Sequence, residues 1–316
     1  MTPPTAVLLL AYGTPRTPDE VEPYFTHIRG GRTPSPESVR RLQERYELIG
    51  GRTPLLEITN DTAHALQRAL DAKAPGAYRT YVGMKHWHPF IADTVRRIAE
   101  DGVRRIIALV LAPHYSRMSV GGYRQYLDKA MEELDSPPEL RFVERWGLQP
   151  EFIDMMRGRV EEALAGFPPD AGEVRVVFSA HSLPERIRSW NDPYESELLA
   201  SCAAVAASAG LREWRFAWQS AGSTGEPWIG PDILDYLQVL HGEGTRAVLS
   251  VPIGFICDHL EVLYDIDHEA VATAKSLGMT LRRTRMPNAS PELIDALVAV
   301  VAGAERHVPA ETPAPA

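Results

Sequence analysis

Short runs of aliphatic and β-branched residues alternate with amphipathic stretches along nearly all of the 316-residue chain. The runs predict eight strands, near Ala6–Tyr12, Tyr78–Met84, Arg105–Leu111, Leu140–Glu144, Val174–Ala180, Trp214–Trp218, Ala247–Pro252 and Met279–Arg283. Between them, ADTVRRIAEDG, YRQYLDKAMEEL and PELIDALVAVVAG repeat apolar residues at three- and four-residue spacing, the period of a helix with one buried face. Strand, helix, strand in this order implies parallel sheets covered by helices on both faces. Four strands fall before about residue 146 and four after about residue 173, joined through LAGFPPDAGE. The expected fold class is therefore α/β: two doubly wound, Rossmann-like domains with parallel four-stranded sheets and a cleft between them. Residues 1–150 would form the N-terminal domain and 151–303 the C-terminal one, with the last helix free to pack back on the first domain. Residues 304–316, which end in VPAETPAPA, read as a disordered Pro/Ala-rich tail.

In doubly wound sheets ligands bind outside the carboxyl ends of the strands. That rule singles out AYGTP, APHYS, SAHSLPE, QSAGSTGEPWIGPD and GFICDHLE, each following a strand. The stretch from Gly254 to Glu269, GFICDHLEVLYDIDHE, holds five carboxylates and two histidines in sixteen residues. Wound as an α-helix it puts Asp258, Glu261, Asp265 and Glu269 within an arc of roughly 80°, opposite Leu260, Leu263, Tyr264 and Val271. An acidic solvent face is one reading. A row of hard oxygen ligands at the cleft is the other, because like charges stacked at i, i+4 cost stability unless a cation compensates them.

His181, directly behind the apolar run VRVVFSA, is either a hydrogen-bonded structural residue or a base or ligand at the cleft. Nucleophilic hydrolysis is set aside because no G-x-S-x-G elbow is present. Tyr12 precedes the turn made by Gly13 and Pro15 and reads equally as packing. Arg29, Arg32, Arg40, Arg41, Arg45 and Tyr46 concentrate arginine beside the same cleft, where some could bind carboxylates bidentately.

Composition narrows the partners. A formal net charge of -9 argues against a general nucleic-acid binder and leaves a small cation open. Two cysteines, Cys202 and Cys257, cannot supply four thiolates, so the chain reads as reduced and cytoplasmic, without a cysteine-held cluster. No apolar run of about 18 residues occurs, so no membrane span is expected.

The segments FSAHSLPE and VPIGFICDHLEVLYDID, with LLLAYGTP, YFTHIRGGR, RYELIGGRTPL, YVGMKHWHPFI, LAPHYS, WQSAGSTGEPWIGPD and MPNASPELIDAL in the same order, resemble the ferrochelatases, which insert ferrous iron into a porphyrin. The resemblance runs to about residue 303 and implies a chelatase-like version of the two-domain fold. It implies that His181 and Glu261 face the porphyrin and handle metal and pyrrole protons, and that Asp265 and Glu269 belong to an acidic helix relaying iron inward. Tyr12, Arg29, Arg45, Tyr46, Thr53 and Tyr123 match positions that contact the macrocycle and its propionates; Thr53 stands where close relatives of this type carry serine. The AYGTP form of the first motif is similar to enzymes acting on coproporphyrin III, in which the tyrosine would reach the metal from the other face. On this resemblance Fe2+ is a substrate, no tightly bound cofactor or iron–sulfur cluster is expected, and the chain would be a soluble monomer making transient contacts with neighbouring haem-pathway enzymes. The alternatives are a protoporphyrin IX ferrochelatase, a sirohydrochlorin chelatase and, from another class, a non-catalytic porphyrin or haem carrier; a carrier has no need of a proton acceptor and an acidic metal path.

Overall fold

The computed structural model describes residues 3–222 and 224–306. Eight strands form two all-parallel sheets. The first contains β1 (Thr5–Ala11), β2 (Tyr78–Met84), β3 (Arg105–Val110) and β4 (Glu139–Val143) in the order β2-β1-β3-β4. The second contains β5 (Val174–His181), β6 (Arg215–Gln219), β7 (Ala247–Val251) and β8 (Thr280–Arg283) in the equivalent order β6-β5-β7-β8. All eight strands lie where the apolar runs place them, within a residue or so at each end. The nearly uninterrupted burial of β1, β3 and β7 is what a parallel strand covered on both faces requires.

Helices fill the connections: α1 (Val21–Ile28), α2 (Pro36–Leu48), α3 (Leu55–Lys73), α4 (Ile91–Glu100), α5 (Val120–Glu132), α6 (Pro150–Ala165), α7 (Tyr194–Ser208), α8 (Ile233–Gly242), α9 (Leu260–Leu263), α10 (Val271–Ser276) and α11 (Pro291–Arg306). Their starts follow from local chemistry. Ser35 caps α2 by accepting from the Ser38 amide at 3.2 Å, with Pro36 in the first turn, and Asp232 caps α8 by accepting from the Leu234 amide at 2.9 Å. In α4 the buried residues Ile91, Val95 and Ile98 recur at helical spacing and cover the first sheet.

One buried cluster joins the two sheets. It runs from Val7 and Leu9 of β1 through Phe152 and Met156 of α6 and Leu293 and Leu297 of α11 to Phe178 of β5 and Leu249 of β7. Helix α11 packs on both α3 and α6. It also extends through Ala304–Arg306, so the expected disordered tail cannot begin at residue 304; the amphipathic spacing continues for those three residues, with Ala304 packed against the core. The rest of that tail lies outside the described residues. Both cysteines are free thiols. Among the described residues no helix is long and apolar enough to cross a membrane.

Candidate active site

In each sheet the chain reverses its direction of winding beside the first strand, between β1 and β3 and between β5 and β7. The crevices at the carboxyl ends of those strands are where a doubly wound sheet binds ligands. Tyr12 follows β1, His181 ends β5, and the segment from Pro252 to Glu261 follows β7.

His181 is held from several directions. Its Nδ1 lies 2.5 Å from the Ser182 carbonyl and therefore carries a hydrogen, while among the described residues Nε2 has no hydrogen-bond partner. Its own carbonyl accepts from the Tyr194 hydroxyl at 3.0 Å, and Trp228 lies 6.2 Å away, ring to ring. Gly254 passes so close behind the strand that a Cβ there would sit 2.6 Å from Ala180 Cβ. The glycine permits that approach.

Gln219, fully buried opposite His181 in the β5–β6 ladder, connects this residue to the acidic segment. Its side-chain oxygen accepts from Ser179 at 2.9 Å, while its amide nitrogen donates to the backbone carbonyl of Glu261 at 2.9 Å. The acidic segment is not the regular α-helix expected. His259 is extended, α9 covers one turn, and Asp265–Ala270 forms a π-helical segment in which the Glu269 amide reaches back five residues to the Tyr264 carbonyl at 2.9 Å. A wider turn rotates the chain less per residue, and π segments of this kind concentrate at functional sites. Two expectations are corrected. Asp258 precedes the helix and is tied to Arg283 at 2.8 Å and Asn288 at 2.7 Å, away from the row of carboxylates. The carboxylate side is also not a solvent face, since Asp265 is only 6% exposed.

Burial pushes the Asp265 carboxyl up to about 7, against the opposing hydrogen bond from Ser220 and with the Glu261 carboxylate adding to the rise. Ser220 Oγ donates to one Asp265 oxygen from a left-handed backbone position, φ 63°. The other oxygen lies 3.8 Å from Arg45. Glu261 meets His259 Nε2 at 3.2 Å, and Nδ1 of that ring donates to the Cys257 carbonyl at 2.8 Å. His268 stacks on Tyr264, and Asp267 is paired with Arg283.

The opposite wall is aromatic and hydroxylic. Tyr12 is 39% exposed to the cleft, yet the walls around it desolvate its hydroxyl, which burial and then the Glu261 carboxylate hold well above the ordinary phenol value. Burial likewise raises Tyr46 and Tyr123, and Glu261 adds to both. The Glu261 carboxylate thus acts on all three hydroxyls. Tyr46 is fixed by a hydroxyl chain in which Thr53 donates to Thr14 at 3.0 Å and Thr14 meets the Tyr46 hydroxyl at 3.2 Å. Thr53 is 2% exposed, so its hydroxyl supports Tyr46. Leu260 packs on Val21, Val39 and Tyr46, seating α1 and α2 against α9. Arg29, just after α1, is exposed with its guanidinium 5.8 Å from the Phe25 ring.

Two residues of this wall, Lys85 and His86, are not among the site residues singled out by the sequence. Gly13 (φ 97°) lets the first turn approach the Trp87 amide within 2.7 Å of where a Cβ would stand, bringing the segment after β2 beside Tyr12. His86 packs 4.5 Å from the Tyr12 ring, and its Nδ1 is 3.2 Å from that of His27. Burial, then Lys85 and His27, depress His86 to about 3, so its ring is neutral. Lys85 is 9% exposed, lies 5.0 Å from the Tyr123 ring centroid, and is lowered to about 8 by burial alone.

An imidazole nitrogen, the Glu261 carboxylate and a further series of carboxylates can accept protons and bind a hard or borderline cation. Among the described residues no three His, Cys, Asp or Glu side chains converge as a metal cage. The carboxylates of Glu261, Asp265 and Glu269 follow one another along α9 and the π segment.

The comparisons with known proteins agree with this chemistry. Residues 4–305 match the family model described as Ferrochelatase. A "Ferrochelatase" of Herpetosiphon aurantiacus is 50% identical over 304 residues, covering 96% of this chain and 100% of the relative. A "Coproporphyrin III ferrochelatase" of Bacillus subtilis is 42% identical over 298 residues, covering 93% and 96%. Among solved structures, SirB from Bacillus subtilis with Fe3+ is similar in fold, with a TM-score of 0.60 and 12% identity over 96% of each chain. Family model and full-length relatives thus converge on one assignment: the chain belongs to the ferrochelatase family.

Proposed function

We propose that the chain inserts ferrous iron into coproporphyrin III, forming coproheme in haem biosynthesis. The observation that carries the reading is the fixed His181 ring, whose Nδ1 is committed to the Ser182 carbonyl, on a strand end whose ladder partner Gln219 also holds the Glu261 carbonyl. A porphyrin must lose two pyrrole protons as iron enters, so the site needs an acceptor and an exchangeable ligand. His181 Nε2 serves as one of these at a time, since a single lone pair cannot hold a proton and a metal together. Glu261, with His259 against its carboxylate, takes the remaining proton and assists in metal ligation. Asp265 and Glu269 carry Fe2+ toward that pair. Because no three such side chains converge as a cage among the described residues, each can hold the ion loosely and release it. Tyr12 approaches the metal from the other face. Tyr46 and Tyr123 pack on the macrocycle, and Thr53 braces Tyr46.

The choice of coproporphyrin III rests on cations. Four propionates need more positive partners than two, and Arg29, Arg45 and Lys85, which has no ion-pair partner among the described residues, stand along this wall. The name carried by the Bacillus subtilis relative supports the same substrate. The test is anaerobic: purified protein is mixed with Fe2+ and either coproporphyrin III or protoporphyrin IX, and loss of the free-base spectrum is followed. Coproporphyrin III is expected to react faster, and faster metallation of protoporphyrin IX would overturn the choice.

A further inference from the structure

Arg45 lies between the two halves of the site. It sits in the last turn of α2, beside the locked Tyr46, so its backbone is fixed while its 44% exposed side chain is free to swing. Its guanidinium rests 4.7 Å over the Tyr264 ring and 3.8 Å from Asp265 Oδ1. That separation is too long for a hydrogen bond, so the ion pair is loose. Asp265 is held differently: its second oxygen is bound by Ser220, whose position the strand end β6 sets. Arg45 is therefore the partner that can leave. Among the described residues no other Lys or Arg lies within ion-pairing distance of Asp265.

A porphyrin propionate offers Arg45 two charge-assisted hydrogen bonds in place of one loose contact. A divalent cation offers Asp265 a stronger partner than a guanidinium at 3.8 Å. Each ligand removes the group that competes with the other.

Building on the porphyrin and metal-path assignments above, we propose that Arg45 is a shared counterion that couples the two substrates: porphyrin binding withdraws it from Asp265 and opens the acidic row to the metal. Linkage makes the effect reciprocal, so metal on the row frees Arg45 for the propionate. The coupling makes occupancy of the row by a metal ion depend on a porphyrin being present to receive it.

The test uses Mn2+ as the probe, counted by electron paramagnetic resonance, and zinc coproporphyrin III, whose centre is already filled, so the Mn2+ counted lies outside the ring. In the wild-type chain saturating zinc coproporphyrin III is expected to tighten Mn2+ binding about tenfold, within the usual range of coupling between sites. In Arg45→Met, Mn2+ is expected to bind tightly with or without the porphyrin, and the coupling to vanish. A wild-type affinity indifferent to porphyrin overturns the proposal, as does undiminished coupling in Arg45→Met, the signature of propionate charge alone. Asp265→Asn separates this from the underlying assignment. It is expected to weaken Mn2+ binding in both states; binding indifferent to that change overturns the metal-path reading itself, and the coupling with it.

Discussion

Lys85 is a buried and costly charge on the aromatic wall, and replacing it with methionine should make the free protein more stable. The ammonium is 9% exposed and has only the rings of Tyr123 and Tyr126, at 5.0 and 5.8 Å, as cation partners. Burial lowers it from 10.5 to about 8. At about 1.36 kcal/mol per pKa unit, that fall is about 3 kcal/mol of destabilisation while the group is charged in both states. The two tyrosines offset about 1 kcal/mol, and methionine fills a similar unbranched volume. Lys85→Met should therefore gain about 2 kcal/mol near pH 7. The sign with pH follows from proton counts. The folded value lies below the unfolded one, so the unfolded chain binds more protons between about pH 8 and 10.5. The penalty is complete below that window and disappears as pH rises through it. Urea unfolding followed by tryptophan fluorescence should show the variant ahead at neutral pH and the gap closing at high pH. A wild type more stable at neutral pH, or a gap that does not change with pH, refutes the reasoning.

His181→Ala should abolish iron insertion while porphyrin still binds, read from anaerobic metallation spectra beside porphyrin fluorescence quenching; retained turnover removes His181 from the chemistry. Asp265→Asn should stabilise the metal-free chain increasingly as pH rises from about 4 to above 7, by up to about 4 kcal/mol, because the folded carboxyl is raised to about 7 and its ionised form is the disfavoured one. Equal urea midpoints for the variant and the wild type at pH 4 and pH 8 would contradict it. Gly254→Ala should cost about 1–3 kcal/mol, since the new methyl meets Ala180 at 2.6 Å and displaces the strand end carrying His181. Urea unfolding together with the iron-insertion rate checks it, and an unchanged rate would show that the strand end has not moved.

The strands were readable because parallel strands covered on both faces are apolar almost throughout, as VLLLA and RIIALV are. The strand-end rule then reached His181, Tyr12 and Glu261 without any knowledge of contacts. The same rule reaches Lys85 and His86, which directly follow β2; KHWHPF was simply not among the segments drawn from it. The π segment was not readable. An acidic stretch with i, i+4 spacing has the same composition in either winding, and what widens the turn is tertiary: Asp265 anchored by Ser220 and Leu260 seated on Tyr46. His259 is not legible as a partner of Glu261 because its position depends on an extended backbone that no local pattern announces.

Arg45 and Asp265 stand 220 positions apart, and nothing in either neighbourhood marks them as a pair. Periodicity does explain why each occupies its own element: α2 turns its apolar residues Val39 and Tyr46 inward and leaves Arg45 at the edge of that face. The pairing arises one level higher, from the packing of the segments that follow the strands of two sheets with equivalent strand order. Glu261 follows from the second crevice and the tyrosines it perturbs from the first wall. A site assembled this way keeps its carboxylates and the cations proposed to meet propionates on separate elements. They can therefore compete through one side chain, and a proton acceptor and a metal row can coexist in a cleft that would otherwise neutralise both.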